Sequence, residues 1–193
     1  NVYASVWIHP NDVFLYEWKL EETINKLEEI YLDNKEKIKA IWECWFDFFR
    51  TKEEDLEYTK NIQESFFKAQ IELAKKYDLA LVVHTRRAKD DTLRVLKETN
   101  FKKFILHCFS EDLDYAYKAL YYSDECMVSF SWIVTYPNAQ NISRVASVIP
   151  LEKILIETDC PYLAPQQQRW QTNSPAYVPF ILEKIISLRE ENP

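Results

Sequence analysis

Apolar runs of strand length alternate along this chain with longer stretches of helical period, and this alternation limits the folds open to it. The runs that are typical of buried strands are residues 2–8, 38–44, 79–84, 104–108, 127–130 and 154–158. The stretches with helical spacing are residues 21–32, 56–77, 90–98, 113–121, 139–148 and 175–190. Apolar strands separated by helices predict an α/β fold with a parallel sheet covered by helices, as either a closed barrel or a doubly wound sheet.

Length and composition favour one domain. A chain of 193 residues with 47% apolar residues can bury one sizeable core, so we expect a single domain over residues 1–193. The sequence has no run of about 18 apolar residues and no basic stretch before an apolar one at its start, so we expect a soluble, cytoplasmic protein without a membrane partner. Cys44, Cys108, Cys126 and Cys160 form no C-x-x-C pair, and we interpret them as reduced core thiols.

The charge balance restricts how the chain can meet an acidic substrate. There are 24 basic and 31 acidic residues, which give a net charge of −7. This balance argues against broad electrostatic capture of nucleic acid. An acidic substrate would therefore need metal ions to receive it.

Polar residues with metal-binding side chains occur at the apolar runs. The three histidines, His9, His84 and His107, each end such a run, Glu43 interrupts the second run, and Asp159 closes the last one. Carboxylates at buried strands are costly unless they are paired or metal-bound. Because the ends of parallel strands meet on one face, these residues predict a mixed oxygen and nitrogen site for a divalent metal. A set of hydrogen-bonded polar residues is the alternative.

Local strings around these residues resemble the motifs of one known family. They lie at residues 6–10 (VWIHP), 42–50 (WECWFDFFR), 82–86 (VVHTR), 107–110 (HCFS), 157–165 (ETDCPYLAP) and 173–178 (NSPAYV). They resemble, in the same order and at similar spacing, the motifs G-I-H-P, G-E-x-G-L-D, V-I-H-S-R, H-C-F-[ST]-G, E-T-D-x-P-Y-L-A-P and N-E-P-A-Y-V of the TatD family of metal-dependent deoxyribonucleases. The resemblance covers nearly the whole chain, which makes coincidence untenable.

The resemblance implies a fold and a metal site. The fold would be a TIM-barrel-like (β/α)8 barrel, here without its first strand and its last helix. The site would hold two divalent ions, Mg, Mn or Zn, with Glu43 bridging them and His84 and His107 completing the ligands of the second ion. Asp159 would bind the first ion and orient the attacking water, so that Glu43 and Asp159 are the catalytic residues.

The resemblance also implies a substrate and residues that contact it. The substrate would be DNA, cleaved at its phosphodiester bonds by metal-activated water. His9 and Arg86 would contact substrate phosphate. For His9 the alternative is a hydrogen bond at the strand end, and for Arg86 it is an ion pair with a neighbouring carboxylate. We interpret Asp47, in the loop expected after Glu43, as structural and leave it out of the site.

Departures from the family motifs keep other functions open. The H-x-H strand that supplies two ligands of the first ion is missing, so we expect this chain to bind one divalent ion far better than two. Gln168, Gln171 and Thr172 stand where the family has histidine and basic residues, which would weaken phosphate binding. The alternatives are hydrolysis of a D-aminoacyl ester on tRNA, or a non-catalytic fragment that binds metal or nucleic acid.

The chain contains no glycine, although average usage of about 7% predicts roughly 13. Trp7, Trp42, Trp45, Trp132 and Trp170 stand where the family motifs have glycine. We hypothesise that the source genome reads UGA as glycine and that the sequence was translated as though UGA meant tryptophan. Tryptophan there would carry a cost, either of left-handed backbone or of overpacking.

Overall fold

The computed structural model describes residues 2–49 and 51–190, apart from the side chain of Trp45. Its strands are β1 (Ala4–Val6), β2 (Ile38–Asp47), β3 (Ala80–Arg86), β4 (Phe104–Leu106), β5 (Met127–Phe130) and β6 (Ile154–Ile156). Its helices are α1 (Leu20–Asp33), α2 (Leu56–Lys76), α3 (Lys89–Glu98), α4 (Leu113–Tyr122), α5 (Gln140–Val148) and α6 (Val178–Glu190). Short 3-10 turns fill several of the connections.

The strands form one sheet in the order β1-β2-β3-β4-β5-β6. The pairings β1 with β2, β2 with β3, and β5 with β6 are parallel. A doubly wound sheet reverses its strand order at a switch point, whereas this order follows the chain throughout. The predicted α/β class and its TIM-barrel-like arrangement are thus confirmed, and the doubly wound alternative is excluded.

The chain divides into two compact units, Asn1–Ile105 and Leu106–Pro193. The core of the first unit is built from fully buried residues of α2, β2 and β3, including Phe67, Ile41 and Leu81. The core of the second unit includes Phe130 of β5 and Ile181 of α6, which are also fully buried. The boundary falls within β4, and a single domain over residues 1–193 stays a prediction.

Helix α2 positions the ends of β1 and β2 through two buried glutamines. Gln70 Oε1 accepts the backbone N–H of Ile8 at 2.9 Å, and Gln63 Oε1 accepts that of Asp47 at 3.0 Å. Gln63 Nε2 also donates to the carbonyl of Pro10 at 3.3 Å. A buried backbone group without a partner is costly, so these bonds hold two chain segments that leave the sheet.

The helices of the second unit end in specific hydrogen bonds. The side chain of Asp112 caps α4, since its Oδ1 accepts the backbone N–H of Tyr115 at 2.8 Å. Arg189 of α6 donates from Nη1 to the carbonyl of Ala146 at 2.8 Å and to that of Ile149 at 3.0 Å. The last carbonyls of a helix lack partners within it, so Arg189 satisfies the end of α5.

Several predicted boundaries were wrong in detail. Strand β1 is much shorter than residues 2–8, and β4 and β6 end before residues 108 and 158, because the chain there turns to other partners. The helix predicted at residues 175–190 begins with a 3-10 turn, Pro175–Tyr177. Cys160 is exposed, unlike the other three cysteines, because it lies in a turn beyond β6. In the described part of the chain no helix is long and apolar enough to span a membrane.

The left-handed positions of the backbone do not coincide with the tryptophans. The described residues with positive φ are Asp78, Arg87, Asn100, Cys108, Asp159 and Leu163. Trp7, Trp42, Trp132 and Trp170 are not among them, so the expected cost of left-handed backbone does not arise there. Close packing is the remaining cost at Trp42 and Trp132, which are half-buried, whereas Trp7 and Trp170 are exposed.

Candidate metal centre

Glu43 lies at a bulge in β2. Trp42 pairs with Val82 of β3 and Cys44 pairs with Val83, so Glu43 is an extra residue without a counterpart in the ladder. A bulge bends its strand and changes the direction of a side chain, and bulges are frequent beside active sites. Glu43 therefore interrupts the regular pairing of β2 with β3, just as it interrupts the apolar run in the sequence.

His84 comes from the neighbouring strand. It lies inside β3, opposite Trp45 and just beyond the bulge. Paired strands run about 4.8 Å apart, so β2 and β3 carry a carboxylate and an imidazole into the same neighbourhood.

His107 directly follows β4 and is only 4% exposed. Its Nδ1 lies 2.5 Å from Oε2 of Glu157, and its Nε2 lies 3.6 Å from Oδ1 of Asp159. The other oxygen of Glu157 accepts the backbone N–H of Cys108 at 2.6 Å. The imidazole of His107 thus has a carboxylate near each ring nitrogen.

Glu43, His84 and His107 each offer one donor atom, and these atoms all lie within 4.8 Å of one another. One carboxylate and two imidazoles form a mixed oxygen and nitrogen donor set that suits divalent transition metals. Catalytic zinc sites commonly have three protein ligands and leave a further position for water or substrate. The chemistry of this donor set therefore fits a divalent ion.

Asp159 does not belong to that group of three among the described residues. Two ligands of one tetrahedral ion, each about 2.1 Å from it, lie about 3.4 Å apart. The distance of 3.6 Å between Asp159 Oδ1 and His107 Nε2 is close to that separation. This spacing is compatible with a shared ion, and the metal-binding and catalytic roles of Asp159 stay predictions.

His9 and Arg86, the residues expected to contact phosphate, are linked to each other through Asp47. His9 Nδ1 accepts the backbone N–H of Asn11 at 3.1 Å, and Asn11 Nδ2 donates to Asp47 Oδ2 at 3.2 Å. Arg86 Nη1 lies 3.8 Å from the same Asp47 oxygen, and its guanidinium lies over the ring of Phe49. The ion pair considered for Arg86 therefore occurs here, whereas the hydrogen bond of His9 lies in the loop after β1 rather than at the strand end.

Our interpretation of Asp47 was partly wrong. It is the last residue of β2 rather than a loop residue, because β2 extends past the predicted residue 44. It is buried and accepts the backbone N–H of Phe49 at 2.9 Å. Its contacts organise the turn after β2, which agrees with a structural role.

Two buried cysteines, Cys44 and Cys108, lie near these residues. Burial, and to a lesser extent the charge of Glu43, raises the pKa of Cys44 well above its ordinary value. The Sγ of Cys108 lies 3.0 Å from Oγ of Ser131 and is buried. Metal binding requires the thiolate, so we assign no ligand role to Cys44.

Sequence reasoning gave no role to Glu157. Its motif resembles that of the family, but only Asp159, two residues later, was predicted to have a role. The usable signal was a carboxylate directly after the apolar residues of β6, where an acidic residue that is removed from water needs a partner.

A sequence model of the family described as TatD related DNase matches residues 1–193. A metal-dependent hydrolase of uncharacterised function from Bacillus subtilis, YabD, is 35% identical over 98% of this chain and 70% of its own length. A metal-dependent hydrolase from Mycoplasma pneumoniae, also uncharacterised, is 37% identical over 97% of this chain and 70% of its own length.

Solved structures share the fold. The crystal structure of YJJV, a TatD homologue from Escherichia coli, has a TM-score of 0.84 and 24% identity, covering 96% of this chain and 68% of that one. The structure of a TatD family hydrolase from Entamoeba histolytica has a TM-score of 0.77 and 22% identity, covering 97% and 68%. At this identity the likeness concerns the fold alone.

Proposed function

Because the chain belongs to the TatD-related DNases, a family of metal-dependent hydrolases, we propose that it hydrolyses phosphodiester bonds in DNA. The observation that carries this proposal is the group formed by Glu43, His84 and His107. These residues are the metal donors, and a divalent ion, Mg, Mn or Zn, is the cofactor.

A bound divalent ion would lower the pKa of its water well below the ordinary value and would stabilise charge on phosphate oxygens. Glu43, His84 and His107, whose donor atoms lie within 4.8 Å of one another, would hold that ion. Asp159, whose Oδ1 lies 3.6 Å from Nε2 of His107, would orient the attacking water. Because the chain has a net charge of −7, its overall charge does not attract a phosphate. The metal centre is therefore the main source of electrostatic attraction for a phosphate.

His9 and Arg86 are proposed to bind the phosphates that flank the cleaved bond. Since His9 Nδ1 accepts a hydrogen bond, the neutral ring carries its proton on Nε2, which can donate to a phosphate oxygen. Arg86 keeps 41% of its side chain exposed while it lies near Asp47, and its planar fork suits phosphate. A cavity of about 700 Å³ adjoins His9 and is lined by Tyr16 and Lys19, leaving room for a nucleotide.

The first test is metal-dependent cleavage of labelled single-stranded and double-stranded oligonucleotides. We expect no cleavage after treatment with a chelator and recovery on addition of Mg²⁺, Mn²⁺ or Zn²⁺. Cleavage that persists without metal, or protein that binds the ion and leaves every DNA substrate intact, would contradict the proposal.

The second test removes one donor. Glu43→Gln should weaken metal binding by more than the roughly 10–100-fold typical of lost outer partners, because a direct ligand is lost. Glu36→Gln is the matched control, since Glu36 is exposed just before the same strand. Calorimetry should give one tightly bound ion per chain, and two equally tight ions would contradict the predicted stoichiometry.

A further inference from the structure

Glu157 has both oxygens engaged by neighbouring residues. Oε2 lies 2.5 Å from Nδ1 of His107, and Oε1 accepts the backbone N–H of Cys108 at 2.6 Å. The side chain of His107 is 2% exposed and that of Glu157 is 22% exposed. Competition from water is therefore weak at this contact, and the carboxylate has a defined orientation.

The direction of these hydrogen bonds follows from the groups involved. The N–H of Cys108 can only donate, and an ionised carboxylate can only accept. The nitrogen of His107 that faces Glu157 must therefore carry a proton. In the neutral ring this leaves Nε2 as the nitrogen with a lone pair, on the side of the ring that faces Asp159.

We propose that Glu157 is a positioning residue that fixes the Nδ1–H tautomer of His107 and so makes Nε2 its donor to a metal ion. A carboxylate that orients a ligating histidine in this way also raises the basicity of the ligand. The assignment of the tautomer stands on the contacts of Glu157 alone. Its consequence for metal binding rests on the proposed function.

Glu157→Gln is the sharpest variant because it inverts the pattern of donors and acceptors. The N–H of Cys108 still requires an acceptor, so the amide oxygen must remain on that side. The amide NH₂ then faces Nδ1 of His107 and donates to it, which moves the ring proton to Nε2. The nitrogen that faces the metal would then carry the proton.

The readout is the pair of imidazole ¹⁵N shifts of His107 in metal-free protein, at a pH where the ring is neutral. The chain has three histidines, so His9→Gln and His84→Gln assign the signals. We expect the Nδ1–H tautomer in the unsubstituted chain and the Nε2–H tautomer in Glu157→Gln. An Nε2–H tautomer in the unsubstituted chain, or one that Glu157→Gln leaves unchanged, overturns the proposal.

Zinc affinity, measured by competition with a chelating dye, tests the consequence for the metal. We expect a loss of about 10–100-fold in Glu157→Gln and no change in Glu152→Gln, since Glu152 is exposed just before the same strand. An inverted tautomer with unchanged affinity overturns the metal role. Failure of the unsubstituted chain to bind zinc contradicts the proposed function, whereas the tautomer still decides the role of Glu157.

Discussion

Replacing the tryptophans at positions 7, 42, 45, 132 and 170 with glycine together is expected to stabilise the protein. These are the positions where the family motifs have glycine, and the chain contains no glycine at any position. If the misreading hypothesis holds, the backbone around them evolved to pack without a side chain. The five indoles would then be additions that the fold accommodates at a cost.

The structure sets the size of the effect. The indole nitrogen of Trp132 is buried without a hydrogen-bond partner in the described part of the chain, which costs about 1–3 kcal/mol. Overpacking by a side chain that is too large costs about 1–3 kcal/mol. Trp132 packs against Tyr136, and Trp7 stacks on Trp42 with ring centroids 6.3 Å apart. Loss of each ring pair reduces the gain in stability by about 0.5–1.5 kcal/mol.

Glycine inside β2 adds a further cost of about 0.5–1 kcal/mol at each of Trp42 and Trp45. The middle values of these terms leave a net gain of up to about 1 kcal/mol for the five changes together, which raises Tm by about 2–4 °C. Metal affinity should rise as well, because Trp42 is adjacent in sequence to Glu43.

The assay is urea unfolding with thermal scans, on the chain with all five changes and on Trp132→Gly alone. Phe130→Gly is the control for a native aromatic residue, because Phe130 is fully buried in β5, and it should lose about 3–5 kcal/mol. A similar loss in Trp132→Gly would refute the reasoning, since it would mark Trp132 as a native core residue. Sequencing the gene provides a separate check, and a codon other than UGA at any of the five positions would contradict the misreading.

Three further predictions concern stability and reactivity outside the metal centre. Hydrogen bonding to Arg94 lowers the pKa of Glu64 from 4.5 to about 2, so its contribution is complete above pH 4.5 and is lost as the pH falls toward 2. Glu64→Gln should remove that acid sensitivity, worth about 1 kcal/mol after solvent screening, in urea titrations at several pH values. Burial raises the pKa of Cys126 to about 12, whereas Cys160 is exposed. Iodoacetamide near pH 8 should therefore label Cys160 and leave Cys126 unlabelled until the protein unfolds, as measured by peptide mass spectrometry. Asp112→Ala should cost about 0.5–2 kcal/mol by loss of the α4 cap, and an unchanged urea midpoint would show that the cap contributes nothing.

Periodicity was sufficient to predict the elements of this fold because strands and helices have different repeats. The strand at residues 127–130 was predicted with the bounds that β5 has, and α2, α3 and α4 were predicted to within one residue at each end. The motifs around Glu43, His84 and His107 identified a family that the comparison with known sequences confirms.

Interactions between distant parts of the chain were not predictable. Gln63 and Gln70 of α2 are polar yet buried, because their amides bind backbone groups of other segments, and no sequence pattern marks them for that role. Glu157 was passed over for a similar reason, since its partner His107 lies 50 residues away in sequence. A one-dimensional pattern gives the residue type and predicts its element, whereas a hydrogen-bond partner depends on packing in three dimensions.

Glu43 supplies a donor atom to the candidate centre but takes no part in the pairing of β2 with β3. Trp42 and Cys44 pair with Val82 and Val83, which are consecutive in β3, so deleting Glu43 would leave the remaining pairs in their present register. The carboxylate donor is in this sense an insertion relative to a regular ladder. A single-codon event could therefore add or remove this carboxylate without changing how the two strands align on either side.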